Sequence, residues 1–239
     1  MIVSRTPVRV SLFGGGTDYP QYYVKHGGQI LGGSISHYVY VCLHNGTISY
    51  FYDLPNKSGL ASSSAYTVGL LKVCSNLDNQ TIAKLATIWE QDKMAGNVGS
   101  QDQYLCAVGG FHHLRFSEHG IRDIPIDLEV IKPFEDWLML FDTHQYRSNA
   151  NIIPAQVARI DDNEKLLGEM YQIADEALSS LKKRDFRAVG RLLNDSWQRK
   201  RQLASTVSNA NIDNGYSIAL QSGAIGGKLL GGGGGGFMI

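Results

Sequence analysis

The chain has 239 residues, 43% hydrophobic and 18% charged, which is enough apolar material for one large or two small folded domains and excludes a disordered segment. Lys plus Arg equals Asp plus Glu at 22 each, so no global field draws the protein to nucleic acid or to an anionic membrane surface. Cys42, Cys74 and Cys106 are scattered, odd in number and without metal-type spacing; each reads as a buried free thiol, which suits a reducing cytosol.

The opening MIVSRTPVRVSLFGG lacks a secretory apolar core, and no run of about 18 apolar residues follows. A soluble cytoplasmic protein is expected. VRVSLF predicts a strand that ends in a glycine loop. QILGGSISHYVYVCL predicts a second strand, closed by an Asn45-Gly46 turn and followed by TISYFYD as a third. The residues from Pro55 to Gly59 break the pattern.

A helix is expected from about Ser63, with Ala65, Val68, Leu71 and Cys74 at helical spacing. A second covers about 81–94, with Ile82, Leu85, Ala86 and Trp89 as its inner stripe. FHHLRF and WLMLFD read as strands. Two long helices are expected at 161–182 and 185–205. Leu166, Met170, Ile173, Ala177 and Leu181 line the first, and Phe186, Val189, Leu193 and Trp197 the second. Arg199, Lys200 and Arg201 read as a solvated helix face. The adjacent His112 and His113 would point to opposite faces of a strand, which argues against joint metal ligation. No βαβ rhythm appears, so an α+β fold is preferred to a doubly wound sheet. The acids and prolines of 119–136 mark the expected domain boundary.

Three glycine-containing segments carry the chemical signal. In RVSLFGGGTDY, three glycines permit close backbone approach, and Thr17 and Asp18 would present a hydroxyl and a carboxylate to sugar hydroxyls. The other reading is a tight turn with Asp18 as a helix N-cap. In PNKSGLASSSAYTVGLL, a loop leads into a helix whose exposed N–H groups and serine hydroxyls would suit an anion; an ordinary serine-capped helix is equally open. The third segment, GAIGGKLLGGGGGGFMI, holds six consecutive glycines between Leu229-Leu230 and Phe237-Met238-Ile239. Those apolar flanks favour a loop between buried strands over a flexible linker. None of the three is a Walker A loop, and no protein-kinase signature is present.

Together these segments resemble the GHMP kinases. Arg9 to Gly14 with Thr17-Asp18-Tyr19 is similar to the first motif of the sugar-kinase members. Pro55 and Gly59 to Ser63 are similar to the second motif, and Gly223 onward to the third. Glu90, twelve residues before Asp102 in Gly99-Ser-Gln-Asp-Gln103, matches a spacing found in galactokinases. Within the family the likeness is greatest to heptose 7-phosphate kinases, through SLFGGGTDYP, VGSQDQYLCAVGGF and LFDTHQYRSNA. Gly15-Gly16 stands where galactokinases carry Glu-His. The span between Gly46 and Pro55 is shorter than in relatives, which place part of the adenine pocket there, and relatives continue past the glycine run.

The resemblance implies a two-lobed α+β fold. Residues 1–133 would form an S5-domain-2-like, ATP-binding N-terminal lobe, and 134–239 a ferredoxin-like C-terminal lobe, apparently truncated. The implied activity is that of an ATP-dependent carbohydrate kinase with Mg²⁺, monomeric or homodimeric, acting on the anomeric hydroxyl of a small sugar phosphate. Asp102 would act as catalytic carboxylate, with Arg9 stabilising charge on the transferring group. Gly59, Leu60, Ala61, Ser62, Ser63 and Ser64 would hold ATP, and Ser63 with Glu90 the metal. Gly14, Gly15, Gly16, Thr17, Asp18, Arg147, Gly232, Gly233 and Gly234 would bind the sugar phosphate. The alternatives are a fucose- or mannose-type sugar 1-kinase and a non-catalytic sugar and nucleotide sensor on the same fold.

Overall fold

A computed structural model describes residues 1–55, 57–93, 97–145 and 152–239. Strand β1 (Ile2–Phe13) is followed by α1 (Pro20–His26), β2 (Gly28–His44) and β3 (Thr47–Tyr52). Then come α2 (Ser62–Cys74), α3 (Asn79–Lys93), α4 (Asp102–Val108), β4 (Phe111–Ser117) and β5 (Gly120–Pro125). The remainder is α5 (Leu128–Glu135), β6 (Phe141–Asp142), α6 (Ile152–Val157), α7 (Glu164–Lys182), α8 (Phe186–Lys200), α9 (Ala210–Gln221) and β7 (Phe237–Met238).

β2 is the spine of an antiparallel sheet. One edge carries β1; the other carries β4 along Gly28–Gly33 and β3 along Val39–His44, and β5 extends β4. Asn45 and Gly46 both take positive φ (49° and 77°), the two-residue turn that matches strand twist. β1 slips register against β2 twice, between Pro7 and Arg9 and between Ser11 and Phe13.

The second slip divides the core. Val8 and Val10 pack with Val39, Val41, Ala65, Val68, Ala83 and Leu105 under α2, α3 and α4. Strict alternation would keep Leu12 on that same face. Instead Leu12 joins Phe13 and Leu31 against Phe134, Ile173, Ala177 and Leu193 of α5, α7 and α8. The extra residue of a bulge thus turns the end of β1 from one lobe toward the other. A further cluster joins Trp197, Val207, Ile212, Tyr216, Leu229 and Met238 around the small β6–β7 sheet.

Several expectations are corrected. Of WLMLFD, only Phe141–Asp142 is strand, because β7 offers a partner of two residues; Trp137 and Met139 are exposed. The 119–136 region contains β5, hydrogen-bonded to β4, and the expected boundary after residue 133 falls inside α5. The inner face of α3 is Ile82, Ala83, Ala86, Thr87 and Glu90, whereas Leu85 and Trp89 are 41% and 47% exposed. The helix is rotated so that small residues meet its neighbours. Cys74, at the end of α2, is exposed, Cys42 is half-buried, and only Cys106 is a buried thiol. α8 ends at Lys200 rather than 205. Among the described residues no helix is long and apolar enough to cross a membrane.

Candidate active site

Arg9 lies on β1 between the two register slips and is 3% exposed. Its Nε and Nη2 donate to Asp102 Oδ1 and Oδ2 at 2.8 and 2.7 Å, and its Nη1 donates to the Gly59 carbonyl at 2.8 Å. Its backbone N–H donates to the Leu60 carbonyl at 3.1 Å. The planar fork therefore fixes a carboxylate and the 59–64 loop at once, a geometry lysine cannot reproduce. The Asp102 side chain keeps 26% of its surface open.

On one side of this pair stands Asp18, buried at 2% exposure. Its Oδ1 accepts from the Gly16 amide at 3.2 Å and its Oδ2 from Gln101 Nε2 at 2.9 Å. A Cβ at Gly99 would lie 2.0 Å from Asp18 Oδ2, so glycine is required there. Burial first, and Asp102 second, raise the Asp18 carboxyl above its ordinary 3.8, while the Gly16 amide and Gln101 oppose the rise. Asp18 is not a helix cap, because Tyr19 occupies the N-cap of α1. The expected sugar contact from Thr17 is overturned: its fully buried hydroxyl bonds the Gly14 and Gln29 carbonyls and accepts from the Gln29 amide. Gly14 and Gly16 pack against Gln29 and Leu167, whereas the space beside Gly15 is open except for the Ser11 hydroxyl at 3.9 Å.

On the other side, α2 begins at Ser62 after Gly59 (φ 82°) and Ala61 (φ 60°). The Ser64 hydroxyl donates to Glu90 Oε2 at 2.8 Å, and Gln103 Nε2 reaches the same oxygen at 2.5 Å. Ser63, expected to share a metal with Glu90, is exposed one position earlier on the turn; the structure pairs Glu90 with Ser64 instead. Glu90 is 8% exposed, and its Oε1 is buried without a hydrogen bond. Burial is the main cause raising its carboxyl above 4.5, opposed by the nearby Thr67 hydroxyl, whose bond goes to the Ser63 carbonyl at 3.3 Å, and by the Gln103 and Ser64 bonds to Oε2. No cluster of three His, Cys, Asp or Glu among the described residues could cage a metal. A magnesium ion that keeps phosphate oxygens and waters needs only one or two protein ligands, and the bare Oε1 fits that demand.

The glycine run closes the cleft behind the 59–64 loop. A Cβ at Gly236 would lie 2.1 Å from the Ser58 carbonyl, and one at Gly59 would lie 2.6 Å from the Leu230 carbonyl. Phe237 N–H donates to the Ser58 carbonyl at 2.9 Å, and Gly234 N–H to that of Val207 at 2.9 Å. Gln156 donates to the Gly232 carbonyl at 2.6 Å and Lys200 to that of Gly231. Gly233 packs on Val207 and Gly234 on Ile152. Lys200 is thus 5% exposed, not part of a solvated basic face. Arg147 lies outside the described residues.

His112 Nδ1 meets Asp123 at 2.6 Å, while His113 Nε2 meets Gln29 at 2.6 Å, so the two rings serve separate partners. The role of Gln101 and the pairing of Ser64, expected at the ATP phosphates, with Glu90 are what the sequence did not announce. The only trace they left is a polar residue on each side of Asp102 and a third serine in a row.

The family model for the GHMP kinases N terminal domain matches residues 33–110, and that for GHMP kinases C terminal matches 177–239. A D-glycero-alpha-D-manno-heptose 7-phosphate kinase of Campylobacter jejuni is 27% identical over 300 aligned positions, covering all of this chain and 88% of that protein. The alignment is longer than the 239-residue chain, so that relative carries stretches this chain lacks. A bifunctional fucokinase/GDP-fucose pyrophosphorylase of Arabidopsis thaliana is 29% identical over 207 positions, spanning 78% of this chain but 19% of that protein. A crystal structure of a D-glycero-D-manno-heptose 1-phosphate kinase from Bacteroides thetaiotaomicron shares the fold, with TM-score 0.77 at 22% identity over all of this chain and 87% of its own.

Proposed function

The chain belongs to the GHMP kinases, and on that premise we propose that it transfers the γ-phosphoryl group of ATP to the anomeric hydroxyl of D-glycero-D-manno-heptose 7-phosphate, giving the 1,7-bisphosphate. The observation that carries this reading is the single guanidinium of Arg9, bonded both to Asp102 and to the Gly59 carbonyl. It sets a proton-accepting carboxylate beside the loop that would hold the donor phosphates.

Phosphoryl transfer asks for alignment and charge neutralisation more than for covalent chemistry. Backbone amides from Gly59 to Ser64, at the start of α2, receive the phosphates. Glu90 Oε1 and the Ser64 hydroxyl would hold Mg²⁺, which would offset the phosphate charge. Asp102 takes the proton of the attacking hydroxyl; two of its lone pairs are engaged by Arg9 and the others remain for substrate. Arg9 offsets charge that spreads over the transferring group. Asp18, Gly15 and the amides beside them bind sugar hydroxyls, and Gly232 to Gly234 line the far wall. Arg147 is proposed for the substrate's own phosphate.

A fucose- or mannose-type 1-kinase is the second reading, favoured by the likeness to the Arabidopsis fucokinase. The deciding experiment measures ADP release with heptose 7-phosphate, fucose, mannose and heptose 1-phosphate, and reads the phosphorylated position by phosphorus NMR. Turnover confined to heptose 7-phosphate, with product esterified at the anomeric carbon, is expected. Preference for an unphosphorylated sugar removes the first reading in favour of the second.

A further inference from the structure

Lys228 lies in the third glycine segment, between Gly227 and Leu229, and is 1% exposed. Its Nζ donates to the carbonyls of Ser11 at 2.9 Å and Leu12 at 3.0 Å. Successive carbonyls of a regular strand point to opposite edges, so one ammonium cannot ordinarily reach both. Here it can, because β1 slips against β2 between Ser11 and Phe13. The lysine's own backbone is held in turn: Lys228 N–H donates to the Ile239 carbonyl at 2.8 Å, and Ile239 N–H to that of Lys228 at 3.0 Å.

The charges acting on the ammonium belong to the site. Burial and then Arg9 push its value down to about 7, while Asp18 opposes them. Arg9 lies upstream of the bulge on β1, and Asp18 ends the glycine loop that β1 feeds. Neither oxygen that Lys228 bonds belongs to a carboxylate, so its direct grip is on the backbone, at the point where the strand becomes the loop.

We propose that Lys228 is a positioning residue for the acceptor half of the site, locking the bulged end of β1 so that Gly14–Asp18 is presented to Asp102. The word acceptor rests on the sugar-kinase reading above; the positioning rests on the geometry alone.

The test has two arms on the full chain. In the first, amide hydrogen exchange is compared between wild type and Lys228→Met. Exchange across 14–18 is expected to quicken about tenfold while 59–64 changes by less than about twofold. Unchanged exchange at 14–18, or equal quickening of both loops, overturns the proposal. In the second arm, the KM for the sugar phosphate is expected to rise about tenfold with the KM for ATP within about twofold. A lower kcat with neither KM moved marks a purely structural role and also overturns it. Should the wild type fail to turn over heptose 7-phosphate, the substrate reading falls and the exchange arm still decides Lys228. Lys228→Arg, which keeps the charge and several donors, is expected to restore slow exchange at 14–18. If Lys228→Met does not fold, Lys228→Gln, with the charge removed but a donor kept, takes its place under the same criteria.

Discussion

Asp18 and Glu90 are both buried carboxylates, both raised by burial, and both gripped by a glutamine from the same short segment: Gln101 for Asp18, Gln103 for Glu90. They differ in what is left over. Both oxygens of Asp18 already accept a hydrogen bond, whereas Glu90 crowds two donors onto Oε2 and leaves Oε1 bare. A satisfied buried carboxylate is a fixed wall against which a neutral, hydroxyl-rich ligand can be oriented. One with a bare oxygen asks for a cation. Asp102 sits in sequence between the two glutamines and in space beside Arg9, so a single stretch of three residues touches both carboxylates.

The most severe break comes at the shared residue. Asp102→Asn keeps the shape but removes the proton acceptor, and turnover is expected to fall about 10²–10⁴-fold. Single-turnover ADP release measures it; retained turnover removes Asp102 from its role. Glu90→Gln sharpens the contrast, because it should raise the Mg²⁺ concentration for half-maximal rate about 10–100-fold while the sugar KM stays near wild type. The reverse pattern would exchange the two half-sites.

The seam behind the donor loop is broken by Gly59→Ala, where φ is 82° and the new methyl meets the Leu230 carbonyl. A loss of about 1–2 kcal/mol from the backbone alone is expected in urea unfolding. Asp18→Asn changes a slope rather than a midpoint. The folded state holds the Asp18 proton more tightly than the unfolded chain, so stability falls as pH climbs from 3.8 through the raised value. Above that value the penalty is complete. The variant lacks this term, so its stability relative to wild type should rise as pH climbs from the ordinary carboxylate value through the raised one, and parallel curves would contradict the buried, raised carboxyl. The smallest effect is kept for the serines: Ser64→Ala should cost about 1 kcal/mol through its buried bond to Glu90, and exposed Ser63→Ala less than about 0.5 kcal/mol. Equal costs would erase the distinction between them.

Much of the site was legible in sequence because phosphate loops are built from backbone, and backbone in unusual conformations leaves glycines behind. Gly59 and the 231–236 run stand out that way, whereas Arg9, Asp102 and Glu90 are marked only by the resemblance to the GHMP kinases. The residues misread share a different cause. Whether Ser63 or Ser64 faces Glu90 depends on where α2 starts, and that start is set by Ala61 in a left-handed conformation, which no propensity announces. In α3 the large residues Leu85 and Trp89 drew the inner stripe to the wrong side, since periodicity weighs size while the packed face needed Ala83 and Ala86. Thr17 looked like a ligand because its hydroxyl is chemically able to be one; only the fold shows that Gln29 and Gly14 consume it. Lys228 inside an apolar stretch gave no hint of its partners, because a strand slip has no local code.

The bonds from Lys228 to Ser11 and Leu12 span 217 and 216 residues. During synthesis β1 leaves the ribosome early, yet its bulged end has no clamp until residue 228 has also emerged. A nascent chain can therefore carry a folded sheet before the cleft is clamped, and catalytic competence should appear only once the third glycine segment has emerged.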